Sequence, residues 1–136
     1  MDAKEELIRK FYEARSRRDW TAVRKMLAPD VTWHELGPEQ GYSGDHRGRD
    51  TVTALLEQLV DVTQGTFSLE PIDVITTAEH VATNVRWHAE RDDRRVDGND
   101  LAVFRIAQGN IAEAWFFPDG FEPEALTEVF SFAPDR

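Results

Sequence analysis

Residues 81–117 constrain this chain more than any other stretch. Two alternating runs, Val81–Glu90 and Arg95–Ile106, flank a polar turn at Asp92-Asp93. A two-residue turn fixes hairpin register. It pairs Arg91 with Arg94, so Trp87 faces Gly98 and Val85 faces Asp100. Side chains alternate along a strand. One face therefore carries Val81, Thr83, Val85, Trp87 and Ala89 with Val96, Asp100, Ala102, Phe104 and Ile106. The other carries Asn84, Arg86 and His88 with Asp97, Asn99, Leu101, Val103 and Arg105. The first is the core face. His88 opposite Asp97 reads as a cross-strand pair on the second. A third strand, Ile111–Pro118, follows the turn at Gln108-Gly109-Asn110 and is apolar on both sides, with Trp115 and Phe117 alternating with Ala114 and Phe116.

Asp100 breaks the pattern as the lone carboxylate on an apolar face. A buried unpaired charge costs several kcal/mol, roughly. It must find a partner, hold a proton, or line a cavity.

Upstream, Asp2 with Glu5 opens a helix in which Leu7, Ile8, Phe11, Tyr12 and Arg15 follow helical spacing to about Arg18. Asp19 caps a short second helix with Trp20, Val23, Met26 and Leu27 as its stripe, ended by Pro29. Val31–Glu35 reads as a strand, with Val31, Trp33 and Glu35 on one face and Thr32 and His34 on the other. A polar, Gly-rich loop spans 36–48; loops of that length are often functional, and His46 and Arg49 either close over a pocket or cap and solvate. Asp50 caps a third helix, whose Val52, Leu55, Leu56, Leu59 and Val60 face inward and which Gly65 stops. Thr66–Thr77 is a long strand with Pro71 marking an edge or bulge. Pro123 starts a short helix through Phe130, and the tail after Ala133 frays.

At 136 residues the chain reads as one domain. Helices and the first strand occupy 1–65, a four-strand sheet 66–118, and a short helix and tail 119–136. Helices gather on one side of a curved, mostly antiparallel sheet, an α+β layering. There are no cysteines, which suits a cytoplasmic location, and the opening residues do not read as a signal peptide. A net charge of −10 argues against nucleic acid or an anionic membrane as partner. The arginines at 15, 17, 18, 91, 94 and 95 sit among acids and read as solvated faces and turns. Alternation sends His34 and Glu35 to opposite faces, and no metal-ligand spacing occurs, so no metal or other cofactor is expected.

This order of elements resembles the nuclear transport factor 2-like superfamily, in its SnoaL-like, ketosteroid-isomerase-like branch. The resemblance is carried by Asp19-Trp20, by the run from Ala28 to Gly37, by Gly48-Arg49-Asp50, and by Val103-Phe104-Arg105 with Gly109 to Glu113. It implies a cone-shaped roll, the sheet wrapped around three N-terminal helices and enclosing a deep apolar pocket. The superfamily holds isomerases, cyclases, dehydratases, hydrolases and non-catalytic binders. The isomerase general base falls on Glu35; its two oxyanion donors fall on Phe11 and Ala102, which cannot donate, with Tyr12 and Asp100 nearby.

Glu35 and Asp100 are accordingly the candidate acid/base pair. The candidate walls for a small, apolar, cyclic ligand are Phe11, Tyr12, Trp33, Leu59, Val85, Trp87, Ala102, Phe104 and Phe116. Trp33 and Trp87 either stack on that ligand or belong to the core. Leu101, Val103, Trp115 and Phe117 on the outer sheet face point to a homodimer. Two functional classes stand open: a cofactor-independent acid/base enzyme, and a non-catalytic ligand-binding or dimeric interaction domain.

Overall fold

The computed structural model describes residues 2–36, 42–119 and 123–132. Among these residues four helices, α1 (Ala3–Ser16), α2 (Trp20–Met26), α3 (Arg49–Val62) and α4 (Pro123–Val129), accompany six strands. The strands are β1 (Leu27–Glu35), β2 (Gly44–Arg47), β3 (Ser68–Thr76), β4 (His80–Arg91), β5 (Arg94–Ala107) and β6 (Asn110–Asp119). They form one curved, open sheet in the order β2-β1-β6-β5-β4-β3. Among the described residues only the β1–β6 pairing is parallel.

The β4–β5 hairpin has the register its turn demands: Arg91 opposite Arg94, Trp87 opposite Gly98, Val85 opposite Asp100. Burial alternates along β4, with Val81, Thr83, Val85, Trp87 and Ala89 inside. His88 bonds to Asp97 across the outer face through Nδ1 at 2.6 Å. Pro71 lies on edge strand β3, where the ladder slips before Val74, as a residue without an N–H requires.

Four expectations need correction. Loop 36–48 is not all loop: Gly44–Arg47 pairs with Thr32–Glu35 as β2, and residues 37–41 lie outside the described residues. β2 is short and polar because it is an edge strand, so it carries little alternation to read. β1 begins at Leu27, which ends α2 in extended conformation and pairs with Ile111, so Leu27 leaves the α2 stripe and Pro29 lies inside β1. Gly48, at φ 89°, caps α3 in place of Asp50, which sits in the first turn and pairs with Arg24. Finally, two of the arginines are not solvated. Arg15 is 4% exposed, and Arg91 is buried with Nη1 donating to the Ser131 carbonyl at 2.6 Å.

α1 and α3 close the concave side of the sheet. Ile8, Phe11, Val52, Leu56, Val31, Trp33, Val81, Phe104 and Ile111 are fully buried there. Burying a large apolar side chain contributes about 1.5–3 kcal/mol, so this continuous core dominates stability. The fraying tail beyond Ala133 also lies outside the described residues.

Candidate functional site

A cavity opens between this core and α4. α1 contributes Tyr12 and Arg15, β1 Glu35, α3 Leu59, β3 Leu69, β4 Trp87, β5 Asp100, and β6 Phe116 and Pro118. Tyr42, Phe67, Leu126 and Phe130 complete the wall. Its free volume is about 40 Å³, room for a few waters.

The two candidate carboxylates lie on this one cavity, each held by an indole. Trp33 Nε1–H donates to Glu35 Oε1 at 2.8 Å. Trp87 Nε1–H donates to Asp100 Oδ1 at 3.1 Å. The first pair arises within β1, because residues two apart share a face. The second spans the hairpin diagonally, and it depends on Gly98. A Cβ at Gly98 would run into Trp87 Cζ2 and lie 2.8 Å from Cε2. The missing side chain lets the indole lie across β5 and reach Asp100.

Burial pushes the Glu35 carboxyl up to about 7, and the nearby Asp100 charge adds to the rise. The Trp33 hydrogen bond and the Arg15 charge work the other way. Burial also raises Asp100, to about 6, against the Trp87 hydrogen bond and Arg15. Asp100 ionises first, and the mutual repulsion then falls on Glu35. Between the two values the pair holds close to one proton across its two sites.

The expected site residues divide in two. Glu35, Asp100, Tyr12, Leu59, Trp87 and Phe116 line the cavity. Phe11, Trp33, Val85, Ala102 and Phe104 are fully buried behind it. Trp33 packs on Phe116, Phe11 and Phe104 at ring distances of 4.4, 5.9 and 6.4 Å. It thereby turns its N–H, not its face, to the site. Tyr12, at 2% exposure, keeps its phenol on the cavity, and burial raises its pKa further.

Arg15 is the most consequential residue that sequence reasoning set aside. Its guanidinium carbon sits 5.9 Å from the Phe11 ring centre and 5.7 Å from the Tyr12 ring centre. It lines the cavity with both carboxylates. Its position in the stripe of Ile8, Phe11 and Tyr12 was the available signal: a cation on the apolar face of a helix must face something. Phe67, Leu126 and Phe130 converge from distant segments, with Phe130 edge-on to Phe67 at 5.1 Å and to Trp87 at 5.8 Å. Nothing in their local sequence announces that meeting. His46 closes on Tyr42 from outside, bonding its carbonyl oxygen through Nε2 at 2.7 Å.

His34, on the opposite sheet face, lies between two acids. Nδ1 meets Asp45 and Nε2 meets Glu113, both at 2.6 Å, and the ring stacks on Trp115 at 5.5 Å. Among the described residues no three metal-ligating side chains converge. None of the described helices is long and apolar enough to cross a membrane.

Comparison with known proteins agrees with this architecture. The SnoaL-like domain family matches residues 8–114. The chain is 28% identical over 130 residues to the uncharacterized protein Rv0034 of Mycobacterium tuberculosis, covering 95% of this chain and 96% of that protein. Bal32a, from a soil-derived mobile gene cassette, superposes with a TM-score of 0.84 at 25% identity, covering 94% and 96% of the two chains. TerC, co-crystallized with polyporic acid, superposes with a TM-score of 0.78 at 19% identity over 95% and 98%, a likeness of fold alone.

Proposed function

This chain belongs to the SnoaL-like domain family, and from that footing we propose that its cavity binds a small, largely apolar cyclic molecule on which Glu35 and Asp100 move protons. The observation that carries the reading is the tuning of the pair. Two carboxyls share one cavity, raised to about 7 and about 6. A general base works best with a pKa near the operating pH. Glu35 abstracts or relays a proton, and Asp100 returns one or steadies developing charge. Isomerisation, cyclisation and dehydration all begin with such a step.

The indole donors support the same division of labour. Each leaves one carboxyl oxygen free of the tryptophan and fixes the other, so the reactive oxygen is held in orientation. The walls suit an apolar ring. Phe67, Trp87 and Phe130 meet edge to face around the cavity, and Tyr42 packs on Phe130 at 5.7 Å. A ring exceeds the present free volume, so its entry repacks these side chains by rotation about their χ angles.

Proton–deuterium exchange at the α-carbon tests the reading. A panel of enolisable cyclic ketones is incubated with the protein in D2O and followed by NMR. Exchange above the buffer rate is expected for part of the panel, with loss of about 100-fold or more in Glu35→Gln. Exchange that survives unchanged in Glu35→Gln removes Glu35 from the role. A panel that binds with no exchange at all favours the non-catalytic binding domain.

A homodimer is the companion proposal. On the outer sheet face Leu101 is 45% exposed and Phe117 43%, and they stand opposite each other across β5 and β6. Val103 and Trp115 form the next apolar pair, and Ile75, 65% exposed, extends that row through Ala82. A contiguous apolar strip of this kind on an acidic protein suits a second copy of the chain.

A further inference from the structure

The Arg15 guanidinium lies deep among apolar groups. It is 4% exposed and lies against two aromatic rings. A guanidinium carries five N–H donors and stays charged in proteins. Among the described residues no side chain or carbonyl accepts a hydrogen bond from it, and no carboxylate comes within ion-pair distance. Its neighbour Arg18 spends its own donors on the carbonyls of Arg15, Gly65 and Phe67. Glu35 and Asp100 feel the Arg15 charge across the cavity, yet the donors that reach them are the Trp33 and Trp87 indoles. A buried cation is costly unless its donors are met. The rings offset part of that cost through the cation–π contact, but a ring face satisfies charge and not donors. Among the described residues no fully buried side-chain nitrogen lacks a partner, so the Arg15 donors that make no protein bond open onto the cavity, where an entering group can meet them.

We propose, building on the reading of this cavity as a ring-binding site, that the ligand bears an acidic oxygen on its ring system, as a carboxylate, phenolate or enolate, and that Arg15 is the group that binds it. The position fits the remaining chemistry. Phe11 and Ala102, fully buried behind the cavity, offer it no donor. Arg15, one turn beyond Phe11 on the same helical face, supplies a charged donor instead. The other groups facing it are Tyr12, Tyr42, Glu35 and Asp100. The two phenols are neutral donors. The two carboxyls can hold protons, so an anion is not shut out. In a proton-transfer reaction the same contact would hold the oxygen on which negative charge collects as the carbon–hydrogen bond breaks.

Benzoate and benzamide, equal in shape and different in charge, make the test. Binding is read at mildly acidic pH by calorimetry and by the shift of the Trp87 indole N–H resonance, which reports from the cavity. The wild-type protein should take benzoate at least about tenfold more tightly than benzamide, the scale of one charge-assisted hydrogen-bonded pair. Arg15→Met should lose that preference and keep its affinity for benzamide; Arg15→Lys should retain part of the preference. If Arg15→Met does not fold, Arg15→Gln, which keeps donors without charge, replaces it and should also lose the preference. Equal binding of both probes by the wild type, with the Trp87 shift present, overturns the acidic-oxygen proposal and leaves the ring-binding reading standing. An undiminished benzoate preference in Arg15→Met or Arg15→Gln overturns the assignment to Arg15. Failure of both probes to move Trp87 overturns the ring-binding reading, and this inference with it.

Discussion

Replacing Glu35 with glutamine should make this protein more stable in alkaline solution. Glutamine keeps the shape and still accepts the Trp33 N–H, which now reaches Glu35 Oε1 at 2.8 Å. It removes a charge that the folded state holds reluctantly. Folding raises the Glu35 carboxyl from an ordinary 4.5 to about 7, and each tenfold change in proton affinity is worth about 1.4 kcal/mol. The folded state thus binds this proton more tightly than the unfolded chain by roughly 3–4 kcal/mol. That contribution is full below the unfolded value, drains as pH rises, and is gone above about 7. Asp100 drains likewise, from an ordinary 3.8 to about 6, so its share is lost at lower pH. Urea denaturation at about pH 5 and about pH 8 measures the sum. The wild type should lose stability between them, and Glu35→Gln should lose roughly 2–3 kcal/mol less, a midpoint difference of about 1 M at a typical urea slope. Parallel losses in the two proteins would mean that Glu35 has an ordinary pKa and is wet, and the proton-transfer role would lose its support.

Gly98→Ala should destabilise by about 1–3 kcal/mol, because its Cβ drives Trp87 off β5; loss of the Asp100 hydrogen bond should appear as an upfield move of the Trp87 N–H resonance. An unchanged resonance would show that the indole does not need that gap. Phe117→Glu and Trp115→Glu should each give monomers by sedimentation, and an intact dimer in either would place the interface elsewhere. His34 is a second pH-sensitive group: burial opposes its charge, but the Glu113 and Asp45 hydrogen bonds outweigh it and raise its pKa. Its contribution is therefore full below the unfolded value and lost as pH climbs through the raised one. His34→Gln should be less stable than wild type in mild acid and equal to it in alkali, by thermal melting; a difference that persists at high pH would make the contact one of shape and not of charge.

What was readable in the sequence was local. The hairpin register followed from a two-residue turn, and with it the placement of Trp87, Gly98 and Asp100. Glu35 was placed by alternation from Trp33. The losses share a physical cause. β2 shows no alternation, since a polar edge strand is specified by its partner and not by its own pattern. Arg15 obeyed the helical period yet carried a charge, and charge in a run of arginines and glutamates outweighed position. Trp33 and Trp87 looked equivalent, both large and on the concave face. Their difference, one core and one wall, depends on Phe67 and Phe130 arriving from other parts of the chain. The cavity is made of such meetings, and no periodicity encodes them.

The parallel seam between β1 and β6 has a further consequence, in time. Glu35 stands beside Phe116, and the strand that carries the proposed base is held on its inner side by the last strand to be made. Pairings between such distant segments form late, because the loop between them must be closed first. A nascent chain can complete the β4–β5 hairpin, and bring Trp87 to Asp100, while β6 is still inside the ribosome. Half of the acid pair is thus assembled early and locally. The other half is set in place only when β6 docks, so a chain cut short before β6 would lack the strand that seats Glu35.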